Sequence, residues 1–296
     1  MPSRLQPSPQ ADTLPPRYNK MALLRPEIDL STGVLTVTSP ATFLPPLQIP
    51  LHATPASLHT SASRVCGDKI TALTYSTPSI THFFTAAVGA PCTLARLPSD
   101  SRCRNYKPRL SHQPHEGPQI LLSNESPILL LNLSSVDSLN LSISATGGKV
   151  ANADVFRANI VLRSTSAYAE DEWSRVRIGG EYFEILGPCR RCHMVCIDQT
   201  TAEKDEEPFV TLTRTRRKEG RVLFGMHATH LPLRGRGSDG VPMIRVGDPV
   251  QVIPRERTVE REGEPQMQPV EMGIEKEGSI LQSLVALMPR YLRAGR

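Results

Sequence analysis

The 296-residue chain has 34 Lys and Arg against 29 Asp and Glu, and its 39% hydrophobic and 21% charged residues are close to ordinary globular usage. That length suits about two domains, and the lack of any apolar run of about 18 residues excludes a transmembrane helix. The net charge of +5 is scattered instead of gathered around aromatic platforms, which argues against nucleic acid; a small anionic ligand would account for it, and so would no ligand at all.

High proline (27 residues) and low aromatic content (5%) favour short strands and turns over long helices. The polar, Pro-rich start (residues 1–19) reads as disordered or as a truncated beginning. It has no apolar signal-peptide core, which makes a cytoplasmic, reducing compartment the expectation. "MALLRPEIDLSTGVLTV" predicts a hairpin around "DLSTG", and "PPLQIPLH" a further extended piece. "SRVCGDKITALTYS" reads as one strand. "SITHFFTAAVG" has helical spacing ending at Gly89 as a C-cap, and "PCTLARLPS" returns to a strand. The basic connector 101–118 marks a boundary.

Beyond it, "QILLS" predicts a strand. "NESPILLLNLSSVDSLNLSI" predicts a loop, a buried strand and a helix from near Ser134. "FRANIVLRS" reads as a strong strand, and "SAYAEDEWSRVRIGGEYFEILGP" as a polar turn and a strand pair around Gly179-Gly180. "RVLFGMHATHLP" and "VGDPVQVIP" add strands, a series that suggests a small β-barrel. After Pro254 comes a charged tail in which "SILQSLVALMPRYLR" reads as a terminal amphipathic helix. The divisions are 20–112, 113–256 and a tail from 257 to 296.

"GPCRRCHMVC" (187–196) holds three of the six cysteines. "CRRCH" matches the haem-attachment pattern, which generally needs export. Zinc would need a fourth ligand beside Cys189, Cys192 and Cys196, and the His227/His230 pair has neither finger spacing nor a finger helix. Cys196, before Ile197, fits an apolar filler on a buried strand. Arg190 and Arg191 would lower the pKa of neighbouring thiols, so Cys189 and Cys192 read as functional thiolates in a basic pocket, on an exposed turn at a strand end.

Taken together, "FRANIVL", "AYAEDEW", "IGG", "GPCRRCHMVCID", "LFGMH" and "VGDPVQVI" resemble the MOSC domain family in order and approximate spacing, over roughly 119–254. The cysteine segment is most similar to the eukaryotic molybdenum cofactor sulfurases. Residues 20–110, with "RVCGDKI" and "FFTAAVGAPCTLARL", and then "LLSNESPILLLNLSSVDSLN", resemble the latter part of the β-domain that precedes MOSC. The fold implied is mainly β with minor α: a MOSC-type β-barrel preceded by an incomplete β-rich domain. The lysine-bearing opening of that domain and the pyridoxal-phosphate desulfurase domain do not occur in this chain. That gives the expectation of a C-terminal portion of a fungal-type sulfurase, a truncated gene product or a stand-alone paralogue, with no pyridoxal phosphate of its own.

The resemblance also implies roles. Cys192 corresponds to the thiolate that contacts molybdenum in amidoxime-reducing relatives. Cys192, Cys189 or Cys196 would carry persulfide sulfur. Arg157 and Asn159 would contact the phosphate and pterin of the molybdenum cofactor, Arg191 its negative charge, and Ser123 and Ser126 would donate hydrogen bonds to it. Glu170 or Asp171 would orient Arg157 or close a turn, Trp173 would be core, His193 incidental, and His227 and His230 structural. The implied partners are the molybdenum cofactor, a cysteine desulfurase domain in cis or in trans, and xanthine dehydrogenase or aldehyde oxidase type enzymes, with no nucleic acid and no membrane. The alternatives are a molybdenum-dependent reductase of N-hydroxylated compounds and a non-catalytic cofactor carrier.

Overall fold

The computed structural model describes residues 16–51, 58–65, 68–96, 104–105, 119–120, 125–164, 166–232, 242–254 and 286–289. Ser123, Cys66, Cys103, most of the 101–118 connector and most of the tail lie outside the described residues, as does the start up to residue 15. Residues 16–19, read with the polar start, instead open a 3-10 helix, Pro16–Leu23, whose Tyr18 is buried.

Apolar–polar alternation sets the first strands. β1 (Arg25–Asp29) and β2 (Val34–Thr38) pair antiparallel, and β3 (Leu47–Pro50) joins β2. Asp29 closes the β1–β2 turn, its Oδ1 accepting from the backbone N–H groups of Ser31 and Thr32 and from the Ser31 hydroxyl. The stretch read as a single strand is two, β4 (Leu58–Val65) and β5 (Asp68–Tyr75). They pair antiparallel with only residues 66 and 67 between them. Helix α1 (Pro78–Val88) starts with Pro78 and stops at Gly89, whose φ of 78° is left-handed and whose N–H bonds Thr85 O at 2.9 Å. Its buried Ile80, Phe83, Phe84 and Val88 share a core with Leu35, Val37 and Ile49, and with Cys92 and Leu94 of β6 (Cys92–Arg96). β7 (Arg104–Asn105) and β8 (Gln119–Ile120) form a short ladder.

The larger sheet begins with β9 (Ile128–Asn132), which feeds α2 (Leu133–Ser144). Asn132 caps α2 by accepting from Ser134 N. β10 (Ile160–Leu162), β11 (Arg175–Ile178), β12 (Glu181–Arg190), α3 (Phe209–Thr215), β13 (Arg217–Lys218), β14 (Arg221–Leu231) and β15 (Val250–Ile253) follow. The strands run in the order β10-β9-β14-β12-β11-β15 in a curled half-barrel, with β13 paired to β14 and only β9–β10 parallel. The mainly β reading with minor α holds. One core, with Leu139, Ile143, Phe156, Leu212 and Phe224, lies under the helices; another, with Leu130, Leu162, Trp173, Val176, Phe183 and Val250, fills the curl.

Two expectations change. "FRANIVLRS" is a strand only over Ile160–Leu162, because Asn152 accepts from Asp154 N and starts a 3-10 turn at Ala153–Phe156 that ends on a left-handed Arg157 (φ 56°). Within the segment read as a terminal helix, residues 286–289 form strand β16 (Ala286–Pro289), paired with β6.

Candidate functional site

β12 and β14 build the site through two slips in their register. Ile185 pairs with Ala228 and Gly187 with His227, which leaves Leu186 extra on β12. Pro188 then pairs with Met226 and Arg190 with Leu223, so Cys189 alone faces Phe224 and Gly225. Bulges bend a strand and re-aim its side chains. Gly225 accommodates this one at φ 71°, a conformation that a side chain would strain.

Past β12 the chain turns Arg191 inward until it is only 8% exposed. Its N–H donates to Val222 O (2.8 Å), Nε to Phe224 O (2.7 Å) and Nη1 to Phe156 O (3.0 Å), with the guanidinium over the Phe156 ring. Nη2 is buried with no acceptor among the described residues. A donor left so is destabilising by about 1–3 kcal/mol, and more for a charged group.

Arg157 adds a second cation. Burial pushes its guanidinium below the ordinary value; the nearby Cys192 opposes that shift and Arg191 adds to it. Cys192 lies after β12 at the start of the 3-10 turn His193–Cys196, and of the four described cysteines it alone is not buried. Two arginines and one accessible thiol thus lie close together.

The remaining cysteines differ. Cys196 is buried at the end of that turn, not on a strand, and its Sγ donates to Glu206 O at 3.4 Å. Burial pushes its thiol up, which leaves it a core residue. Cys189 is also buried, within the strand and not on an exposed turn. Its Sγ donates to Arg190 O at 3.7 Å; burial by itself would raise the thiol, but the Arg191 charge and the neighbouring His227 outweigh it, and the thiol is lowered.

His227 is 7% exposed. The Ser126 hydroxyl donates to Ile128 O (2.8 Å), so at 2.7 Å it accepts a proton from His227 Nδ1, while Nε2 faces Glu125 Oε2 at 3.3 Å. Burial disfavours the imidazolium, yet hydrogen bonds with Cys189 and Glu125 raise its pKa from 6.5 to about 9. Ser126, expected on the cofactor, is instead engaged by His227 and the backbone.

Asn159 Oδ1 accepts from the Leu129 N–H (2.8 Å), and the backbone N–H of Asn159 donates to Leu129 O (2.9 Å), which fixes the residue beside β9. Glu170 accepts from Asn132 Nδ2 and Ser135 Oγ (both 2.7 Å), and Asp171 pairs with Arg216 at 2.6 Å; these bonds tie the 169–172 turn to the start of α2 and to the end of α3. Trp173 is core. His193 stacks on Phe209, with 4.1 Å between ring centroids, and His230 meets Glu181 at 2.9 Å. Among the described residues no group of three or more His, Cys, Asp and Glu is placed to hold a metal ion, and no helix is long and apolar enough to cross a membrane.

Sequence reasoning assigned no chemistry to His227, Glu125 or Gly225. Glu125 and His227 lie 102 positions apart and meet only through the β9–β14 pairing, so no local signal links them.

The MOSC domain family matches residues 117–251. The chain is 42% identical to a molybdenum cofactor sulfurase of Botryotinia fuckeliana, over 80% of this chain and 35% of the relative. It is 39% identical to the same-named proteins of Pyricularia oryzae (80% and 35%) and Aspergillus niger (79% and 34%). The chain therefore spans about a third of the length of the curated relatives it matches.

Proposed function

Residues 117–251 of this chain belong to the MOSC domain family, and from that premise we propose that the chain binds the molybdenum cofactor and takes part in its sulfuration. The cofactor is the substrate here: an oxo ligand of its molybdenum is exchanged for sulfur. The observation that carries this reading is Arg191 Nη2, a charged donor buried without an acceptor among the described residues, close to Arg157 and to the half-exposed Cys192.

The donor set fits a pterin dithiolene that ends in phosphate. Arginine forks suit phosphate oxygens, and a thiolate is a soft ligand appropriate to molybdenum. Cys192 would face the metal, Arg191 and Arg157 would hold the anionic groups, and the Asn159 amide nitrogen would reach the pterin edge. Sulfane sulfur would come from a cysteine desulfurase domain, in cis or in trans, that carries the pyridoxal phosphate. The sulfurated cofactor would serve xanthine dehydrogenase and aldehyde oxidase type enzymes, in the cytoplasm.

The test is to incubate the 296-residue chain and its Cys192→Ala and Arg191→Met variants with molybdenum cofactor, then measure bound molybdenum and pterin after desalting. Stoichiometric cofactor on the parent, with metal lost from Cys192→Ala and pterin lost from Arg191→Met, supports the reading. A folded parent that retains neither component overturns it.

A further inference from the structure

Phe156 meets the candidate site twice, through its backbone and through its ring. It ends the 3-10 turn Ala153–Phe156 and is 1% exposed, in the core under the helices. Its carbonyl accepts from Arg191 Nη1 at 3.0 Å, and the Arg191 guanidinium lies over its ring, with Cζ 5.4 Å from the centroid. An aromatic face attracts a cation at that distance, most strongly away from water. The next residue is Arg157, whose left-handed φ of 56° directly follows the turn. One residue therefore touches the first arginine and carries the second.

Phe224 completes the hold. Its carbonyl accepts from Arg191 Nε at 2.7 Å, and its ring packs on that of Phe156 with 4.6 Å between centroids. A guanidinium is planar and rigid, so pinning Nε and Nη1 fixes the direction of Nη2. Tyr168 meets Phe224 edge-on, with centroids 6.4 Å apart. Arg216 lies 4.4 Å over the Tyr168 ring and pairs with Asp171 at 2.6 Å. The Arg216 carbonyl also accepts from Leu223 N at 3.0 Å, which fixes β14 just before Phe224. The stack thus runs from a partly buried ion pair to the buried Arg191.

We propose that Phe156 is a positioning residue of the anion site: its carbonyl and its ring set the Arg191 guanidinium so that Nη2 and the adjoining Arg157 address the same ligand. This rests on the sulfuration reading, which supplies that ligand, and deepens it by naming what holds the two cations. Core packing alone would be served by any apolar side chain of this size. The ring face under a cation and the carbonyl on Nη1 are what a purely structural role leaves unused. Phe156 acts through Arg191 and Arg157, not on the ligand.

The experiment compares the 296-residue chain with its Phe156→Leu, Arg191→Met and Leu139→Ala variants. Leucine stays apolar but offers no ring face, and Leu139→Ala damages the same core from α2. Affinity is read by titration with molybdenum cofactor, stability by denaturant melts, and order of the guanidinium by nitrogen-15 NMR. In the parent without ligand, slow rotation should give Arg191 separate Nη1 and Nη2 signals, assigned by their loss in Arg191→Met. Phe156→Leu should merge them and weaken cofactor binding by roughly tenfold, the size of a buried cation–π contact. Leu139→Ala should lower stability yet keep both signals and the parental affinity. That contrast separates positioning from lost packing. Separate signals and parental affinity in Phe156→Leu overturn the proposal, as does an equal loss of affinity in Leu139→Ala. Should Phe156→Leu fail to fold, the parent spectrum decides: one averaged Nη signal means that the guanidinium is not held, and overturns it. If Arg191→Met keeps full cofactor affinity, the sulfuration reading loses its anion site. If Arg191→Met loses affinity while Phe156→Leu retains it, only this inference falls.

Discussion

Arg191 and Gly225 compete for one space: a Cβ on residue 225 would lie 2.9 Å from Arg191 Nη2 and 3.0 Å from the backbone oxygen of Leu130. The glycine thus supplies the left-handed turn of the irregularity and also the room for the guanidinium. Gly225→Ala is expected to destabilise the fold by roughly 1–3 kcal/mol from the strained φ alone. By displacing Nη2 it should also reduce pterin retention. Denaturant melts and the desalting assay measure the two effects; unchanged retention would mean that Nη2 does not hold the ligand.

Cys196 separates core from chemistry within the cysteine cluster. It packs with Val195, Leu212 and Phe224 and gives its thiol proton to Glu206 O. Cys196→Ala should lower stability by about 1 kcal/mol, through lost packing and an unpaired carbonyl. Molybdenum retention should stay at the parental level. Loss of bound metal in a well-folded variant would make Cys196 part of the site.

Glu170 gives a test with a defined pH direction. It is 1% exposed; burial raises its pKa from 4.5 against the opposing bonds from Ser135 and Asn132. A carboxyl raised in the native state contributes stability that is complete below the unfolded value of 4.5 and is lost as pH rises through the folded value. Glu170→Gln removes that titration, so the stability difference between parent and variant should change with pH in a window opening at 4.5 and extending upward. At neutral pH the variant should be less stable by roughly 1–3 kcal/mol, because one of two buried donors loses its acceptor. Thermal melts across pH check both; a difference independent of pH would show that Glu170 titrates as an ordinary carboxyl.

The local parts of this fold were legible. Gly89 ends α1 because it acts through its own backbone angle, and the β1–β2 turn announces itself through Asp29. "FRANIVLRS" misled because its apolar content masks a capped turn and a left-handed Arg157. "GPCRRCHMVC" sets Cys196 apart as a buried filler but reads Cys189 and Cys192 together on an exposed turn, yet the end of β12 at Arg190 divides that pair: Cys189 enters the sheet and Cys192 stays accessible. The Glu125–His227 contact was out of reach, since the β9–β14 pairing joins residues about a hundred positions apart.

Arg157 combines a left-handed backbone that caps the 3-10 turn at Ala153–Phe156 with a desolvated side chain. Its φ of 56° disfavours any residue with a Cβ, and its guanidinium is desolvated near a second arginine. Replacing it with Ala leaves the strained angle and replacing it with Gly removes it, so the two variants separate backbone from side chain. Arg157→Gly should be more stable than Arg157→Ala by about 1 kcal/mol, the typical left-handed penalty for a residue with a Cβ. Both should lose cofactor affinity by tenfold or more, because both remove the cation. Parental affinity in Arg157→Gly would make the residue a structural turn. Equal stability of the two variants would show that the left-handed angle relaxes without the side chain, and that contacts of the guanidinium impose it.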